Sequence, residues 1–228
     1  MKDKIVWILS ILIFIFVAAG TYFNIQAQEA VDRSRLPTKV TEFNLFQRWL
    51  TNLKNHGVNL NVQDFKLVGK DAIYSSTNLT VASLDDPATA KNFNDMLAGM
   101  QGIKKVVFSP DKKQFIDFRN EVRGGYQPNQ VHYYGQRDDK LIDTVVLDCS
   151  QRANCYFDRG YFLDNDTLIV TEISRNISKR DTTTPLCPID QTCTYTVKLH
   201  LIDLLNNSSL EYDSKPFDIV LSKLIPSL

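Results

Sequence analysis

Four cysteines are the residues of this sequence best suited to chemistry, and they form two pairs with the same spacing. Five residues separate Cys149 from Cys155, and five separate Cys187 from Cys193. Structural zinc sites usually place paired cysteines about two to four residues apart, and thioredoxin-like redox sites place them about two apart. The spacing fits neither pattern, so we predict no metal and no cofactor.

The remaining interpretation is that the four cysteines form disulfide bonds. Each pair brackets a short polar loop that leads into a strand-like segment, which favours the pairings Cys149 with Cys155 and Cys187 with Cys193. A bridge over so short a ring contributes about 2.4 kcal/mol by the loop-entropy formula. The sequence leaves open the alternative in which Cys149 pairs with Cys187 and Cys155 with Cys193.

Histidine is scarce, which limits acid-base catalysis. The three histidines are His56, beside the helix-ending Gly57, and His132 and His200, within strand-like runs. The sequence has no nucleophile elbow, phosphate loop, HExxH or dinucleotide fingerprint. We therefore predict no catalytic residue.

Acidic residues cluster late in the chain and suggest two alternatives. Asp158, Asp164, Asp166 and Glu172 resemble the hard oxygen ligands of calcium, although their order does not fit an EF-hand. A pair of carboxylates such as Asp158 or Asp164 with Glu172 could instead cleave glycosides, provided that the two face one cleft within about 5 to 10 Å. A calcium-stabilised adhesion domain and a cell-envelope hydrolase are thus alternative functions.

Tyrosines are numerous enough to form a binding surface, because their rings combine apolar area with a polar hydroxyl. The five candidates are Tyr126, Tyr133, Tyr134, Tyr156 and Tyr161.

The balance of charges argues against nucleic acid as a partner. The chain has 26 basic and 26 acidic side chains, so no overall positive field attracts nucleic acid.

The first residues predict a membrane helix. Ile5 to Phe23 is an almost wholly apolar run of nineteen residues, whose helical length of about 28 Å approaches the thickness of a bilayer's hydrocarbon core. Lys2 and Lys4 precede the run, which places the N-terminus in the cytoplasm and the rest of the chain outside it. We predict that residues 1–28 are a single-pass anchor in the cell membrane, with a cleaved signal peptide as the alternative.

The rest of the chain predicts an α+β fold. Residues 29–38 are a polar tether, and residues 39–102 give an amphipathic helix, two strands and a second amphipathic helix that begins near Pro87. Residues 103–228 alternate strands with polar turns and predict antiparallel β meanders of four hairpins.

Two parts of this β region repeat one plan. Residues 106–148 and 156–213 each give four strands with aspartate-containing or asparagine-containing turns. The stretch "FSPDKKQFIDF" and the later "KLHLIDLLNNSSLEY" resemble the blade repeats of WD40-like or TolB-type β-propellers. The chain is also similar to single-anchor exported proteins of bacteria, a resemblance that implies no particular activity.

These observations together predict a binding function. We expect a membrane-anchored, extracytoplasmic module that binds a protein or a cell-envelope component through the loops after Asn120 and after Glu172. Surface loops carry binding more often than scaffold strands do, which is why these two polar segments are the candidates.

Overall fold

The computed structural model describes residues 2–29, 31–36, 44–71, 79–119, 129–178 and 183–225. The chain divides into two compact units, Met1–Asp32 and Arg33–Leu228. Each unit is described by itself below.

The first unit consists of helix α1, Lys2–Glu29. The predicted transmembrane helix over Ile5 to Phe23 is not supported. A span needs about 20 apolar residues in succession, and no helix in the described part of the chain is both long enough and apolar enough to cross a membrane.

The second unit is built mainly from strands. The strands of its described residues are β1 (Lys66–Asp71), β2 (Leu79–Ser83), β3 (Val106–Phe108), β4 (Gln114–Asp117), β5 (Gln130–Arg137), β6 (Lys140–Asp148), β7 (Arg152–Phe162), β8 (Thr167–Ser178), β9 (Thr192–Asp203), β10 (Ser208–Asp213) and β11 (Phe217–Val220). The helices are α2 (Asn44–Asn55), α3 (Pro87–Met100), the one-turn α4 (Leu221–Leu224) and a 3-10 turn at Val62–Asp64.

The strands form two antiparallel sheets, each based on one of the sequence repeats. Sheet 1 has the order β1-β10-β9-β8-β7, and β11 pairs with the first part of β9. Sheet 2 has the order β2-β6-β5-β4-β3. Each repeat is thus a four-stranded meander, and the four expected hairpins are present.

The predicted α+β fold class is wrong, because the described residues form mostly antiparallel sheet with few helices. The two strands between α2 and α3 do not pair with each other. Strand β1 pairs with β10 in sheet 1, while β2 pairs with β6 in sheet 2. What looked like a separate helix and strand region therefore supplies an edge strand to each sheet.

Helix α2 covers the outer face of sheet 1. Its apolar side chains recur at helical spacing, and Phe46, Trp49, Leu50 and Leu53 are buried against the β8 and β9 side chains Ile169, Ile173, Val197, Leu199 and Leu201. The helix ends where Gly57 adopts a φ of 88°, which a residue without a β-carbon tolerates.

Helix α3 lies on the outer face of sheet 2. Asp86 caps it by accepting a hydrogen bond from the Thr89 backbone N–H at 2.9 Å, and Pro87 occupies its first position. Phe93 contacts Tyr134 of β5, with ring centroids 5.7 Å apart.

The inner faces of the two sheets pack together and form the second core. Ile116, Phe118, Val131, Tyr133 and Val146 of sheet 2 meet Phe157, Leu168, Val170 and Ile202 of sheet 1. A β-carbon at Gly160 would lie 2.6 Å from Ile116 Cδ1, so a glycine is needed there for the sheets to approach. The second unit is a β sandwich with a helix on each outer face.

Candidate functional site

Both disulfide bonds join the cysteines of one loop. The structure pairs Cys149 with Cys155 and Cys187 with Cys193, which confirms the favoured pairing. Cys149, Cys155 and Cys187 are buried. Each bond therefore fixes the shape of one short loop, at the start of β7 and just before β9.

Asn154 holds the two disulfide loops together. It lies inside the first ring, at a bulge of β7, with a left-handed φ of 51°. Its side-chain amide donates to the Cys187 carbonyl at 2.8 Å, and its side-chain oxygen accepts from the Cys187 backbone N–H at 2.9 Å. These two bonds reproduce a backbone pairing between segments that are 33 residues apart.

Arg175 and Asn129 complete the support of these loops. Arg175 donates to the Pro185 carbonyl at 2.9 Å and lies 3.4 Å from the Asn154 side-chain oxygen. Asn129 donates to the Cys155 carbonyl at 2.9 Å, while its own carbonyl accepts from the Cys149 N–H. The two loops are thus connected by side chains that bond to backbone groups on each of them.

We name the concave surface between these loops the loop groove. It encloses about 620 Å³ and is lined by Asn129, Arg152, Ala153, Asn154, Cys155, Tyr156, Ile177, Thr184, Leu186, Cys187, Pro188 and Ile189. Leu186 is 68% exposed and Ile189 is 39% exposed, on either side of the buried Cys187. Two apolar side chains therefore lie open to solvent on a loop that a disulfide and Asn154 hold in place.

Replacing Asn154 with alanine should lower the free energy of unfolding by about 2 to 3 kcal/mol, because the Cys187 N–H and carbonyl lose their partners and alanine disfavours a left-handed φ. Asn154→Gly relieves the backbone cost and should lose about 1 kcal/mol less. Urea denaturation measures both changes, and hydrogen exchange at Cys187 should accelerate in both variants. Unaltered exchange there would contradict the role of Asn154.

The predicted tyrosines do not converge on one surface. Tyr156 lines the loop groove, and Tyr161 lines a second cavity near the end of β7. Tyr134 lines a cavity of about 330 Å³ beneath α3. Tyr133 is buried in the sandwich core, where its hydroxyl donates to Gln114, and Tyr126 lies outside the described residues.

The predicted binding loops are only partly within the described residues. Residues 120–128 of the first loop and 179–182 of the second lie outside them. Asn129 and residues 183–191 are described, and Asn129, Thr184 and residues 186–189 line the loop groove.

A buried ion-pair network, which the sequence analysis missed, runs along the inner face of sheet 1. Glu172 is fully buried and accepts two hydrogen bonds from Arg152, at 2.5 and 2.8 Å. His200 Nε2 lies 2.9 Å from the second oxygen of Glu172. The Arg152 side chain, which is 30% exposed, thus pairs with a carboxylate that is fully buried. No sequence signal points to the network, since its members lie 20 and 28 residues apart.

Further charged residues extend this network toward β10. His200 faces Glu211, whose carboxylate bonds to Lys198, and Lys198 also contacts Asp213. Burial would raise the pKa of Glu172, but the hydrogen bonds and positive charges of His200 and Arg152 outweigh it and lower that pKa to about 2.

The network also lies against the first disulfide. Arg152 Nη2 is 3.5 Å from Cys149 Sγ. Both sulfurs and a Glu172 oxygen lie within 4.8 Å of one another, as metal ligands would. Because the sulfurs are bonded to each other, however, they do not offer the thiolates that zinc requires.

The acidic residues considered for catalysis or calcium have separate partners. Asp158 accepts a hydrogen bond from Trp49 Nε1 on the outer side of sheet 1, whereas Glu172 faces the inner side. Asp164, Asp166 and Asp203 surround the guanidinium of Arg35, at 3.3 to 3.7 Å. A protein cation thus lies where the calcium alternative would place its ion, and Asp158 and Glu172 do not face one cleft.

The fold and this groove define a disulfide-stabilised β sandwich with a preformed apolar loop surface. Comparisons with protein-family models, with curated proteins and with solved structures gave no match for this chain. The geometry of its own residues is therefore the basis of the functional argument.

Proposed function

We propose that this protein is a non-enzymatic binding module of an extracytoplasmic compartment, and that the loop groove captures an apolar side chain of an extended polypeptide from the cell envelope. The observation that carries the proposal is the presentation of Leu186 and Ile189 on a loop fixed by the Cys187–Cys193 disulfide and by Asn154.

Preorganisation is the first argument for binding. A loop that is already ordered loses little conformational entropy when a partner docks, so more of the contact energy remains as affinity. Apolar anchors inserted into pockets dominate the energy of most protein interfaces. Leu186 and Ile189, with Tyr156 and Ile177 beside them, supply an apolar wall of this kind.

The chemistry of the sulfurs supports an extracytoplasmic compartment. Disulfide bonds persist in oxidising surroundings outside the cytoplasm, and the described cysteines are all paired. An extracytoplasmic location also makes exported polypeptides the accessible partners.

The groove can be tested with a displayed library of random linear peptides selected on the full-length protein. We expect enrichment of peptides that carry a large apolar residue, and we expect the variant with Leu186→Asp and Ile189→Asp to bind them about tenfold or more weakly. Synthetic versions of the enriched peptides, titrated by calorimetry, give the affinities.

Leu205→Asp is the matched control for this experiment. Leu205 is 53% exposed but lies in the turn after β9, away from the groove, so this variant should bind the same peptides as the unmodified protein does. The proposal fails if no peptides are enriched, or if the groove variant and the Leu205 variant bind equally well.

A further inference from the structure

A second cavity lies where the edge strands of the two sheets meet. It encloses about 370 Å³ between β3 and the end of β4 in sheet 2, β7 in sheet 1, and the C-terminal end of α4. Its lining consists of Lys104, Lys105, Val107, Phe118, Asp158, Arg159, Gly160, Tyr161, Leu224 and Ile225. We name it the basic pocket. It contains none of the residues that line the loop groove.

Positive charge exceeds negative charge in this pocket. Lys104, Lys105 and Arg159 face a single carboxylate, that of Asp158. Asp158 Oδ2 already accepts a hydrogen bond from Trp49 Nε1 at 3.1 Å and lies 3.6 Å from Arg159 Nε. Within the described part of the chain, neither lysine ammonium forms an ion pair within 4.0 Å.

Lys105 is held there at an energetic cost. Burial lowers the pKa of Lys105; attraction to Asp158 opposes this effect, and repulsion from Lys104 adds to it. Its backbone has a left-handed φ of 66°, and its carbonyl accepts a hydrogen bond from the Phe118 N–H at 3.1 Å. The fold thus fixes a half-buried ammonium beside a second one without a carboxylate for each.

The rest of the wall is apolar. Val107 and Phe118 come from sheet 2, Leu224 and Ile225 from the C-terminal segment, and Tyr161 adds a ring from β7. Small-molecule sites are commonly clefts of about 300 to 1,000 Å³ with mostly apolar walls and a few polar groups that orient the ligand. The basic pocket has this composition.

We propose that the basic pocket binds a small amphipathic organic anion, whose carboxylate or phosphate lies among Lys104, Lys105 and Arg159 and whose apolar body packs on Phe118 and Tyr161. The anion supplies negative charge that, among the described residues lining the pocket, comes from Asp158 alone. This binding is a function separate from peptide capture at the loop groove.

The probes 4-phenylbutyrate, phenyl phosphate and the neutral 4-phenyl-1-butanol test the proposal on the full-length protein by NMR titration. The anions should shift the Gly160 and Tyr161 amide signals and bind about tenfold or more tightly than the alcohol, with an affinity that falls as salt is raised. The two anions differ in head group, so their relative affinities show whether the pocket favours carboxylate or phosphate.

Two substitutions remove the positive charge while keeping an unbranched side chain. Lys105→Met and Arg159→Gln should each weaken binding of the preferred anion by about fivefold or more. Lys140→Met, on an exposed lysine of the β5–β6 hairpin, is the matched control and should bind as the unmodified protein does.

The same titration can overturn the proposal. Equal binding of the anions and the alcohol, or anion binding that Lys105→Met and Arg159→Gln both leave unchanged, would assign these cations to another role. That other role would be to protect the edge of sheet 2, because lysines at a sheet edge discourage pairing with other chains. The double variant Leu186→Asp with Ile189→Asp should keep anion binding, so failure at one site is distinguishable from failure at the other.

Discussion

Replacing Glu172 with alanine is expected to lower the free energy of unfolding by about 3 kcal/mol at neutral pH, because the change removes a fully buried carboxylate that pairs with Arg152 and His200. Arg152 gives Glu172 two hydrogen bonds, and His200 lies 2.9 Å from the same carboxylate. Glu172 and His200 are buried on the inner face of sheet 1, where little water can replace a lost partner, whereas the Arg152 side chain is 30% exposed. Urea denaturation measures the difference.

Glu211→Ala is the control for this substitution. Glu211 belongs to the same chain of charges but is partly exposed, and after its removal Lys198 keeps Asp213 and His200 keeps Glu172 as partners. We expect a loss of about 1 kcal/mol, as for a partly exposed ion pair. Equal losses in the two variants would show that burial does not set the importance of Glu172.

The dependence of stability on pH gives the Glu172 prediction a second measurement. The pKa of Glu172 is lowered in the folded protein to about 2, against an ordinary value of 4.5. The ionised form therefore stabilises the fold above pH 4.5, and this contribution is lost as the pH falls toward 2. The shift corresponds to about 3 kcal/mol. Glu172→Gln should lack this loss, and parallel pH profiles would contradict the prediction.

Replacing Trp49 with alanine is expected to cost about 3 to 5 kcal/mol, because the change opens a cavity in the core between α2 and sheet 1. Trp49 is among the largest fully buried side chains, and its ring stacks on Phe46 with centroids 5.5 Å apart. Its indole N–H also donates to Asp158 at 3.1 Å. Thermal and urea denaturation should both report the loss.

Two further variants separate the contributions of Trp49. Trp49→Phe keeps an aromatic ring but removes the bond to Asp158, so we expect a smaller loss of about 1 to 2 kcal/mol. Arg48→Ala, on the exposed side of α2, should change stability by about 0.5 kcal/mol or less. If Trp49→Ala were no worse than Arg48→Ala, α2 would not be fixed to the sheet through this residue.

Local features were predictable from the sequence. Helix α2 follows from the spacing of Phe46, Trp49, Leu50 and Leu53, and its end follows from Gly57. The start of α3 was predicted from Pro87, and the structure places its cap at the preceding residue, Asp86. These signals depend on residues only a few positions apart, whose geometry the backbone fixes.

The fold class was not predictable in the same way. Alternation of apolar and polar residues along a strand indicates which side chains are buried together, but it does not indicate which other strand pairs with it. Strands β1 and β2 therefore looked like neighbours, yet they pair with β10 and β6 in different sheets. In β8 the residues from Thr167 to Ser174 are all buried, because both faces are covered. Glu172 consequently looked like a candidate calcium ligand or catalytic carboxylate, when it is a core residue.

The sequence by itself determined the hairpins and the two helices and favoured the correct disulfide pairs, because each involves short separations where closing a loop costs little entropy. The tertiary structure decided what these elements form together. The contact of Asn154 with Cys187, the Arg152–Glu172–His200 network and the basic pocket all join residues far apart in the chain. The first two arise only when distant strands pair within sheet 1, and the pocket arises only when the two sheets pack, since these steps set which distant side chains come together.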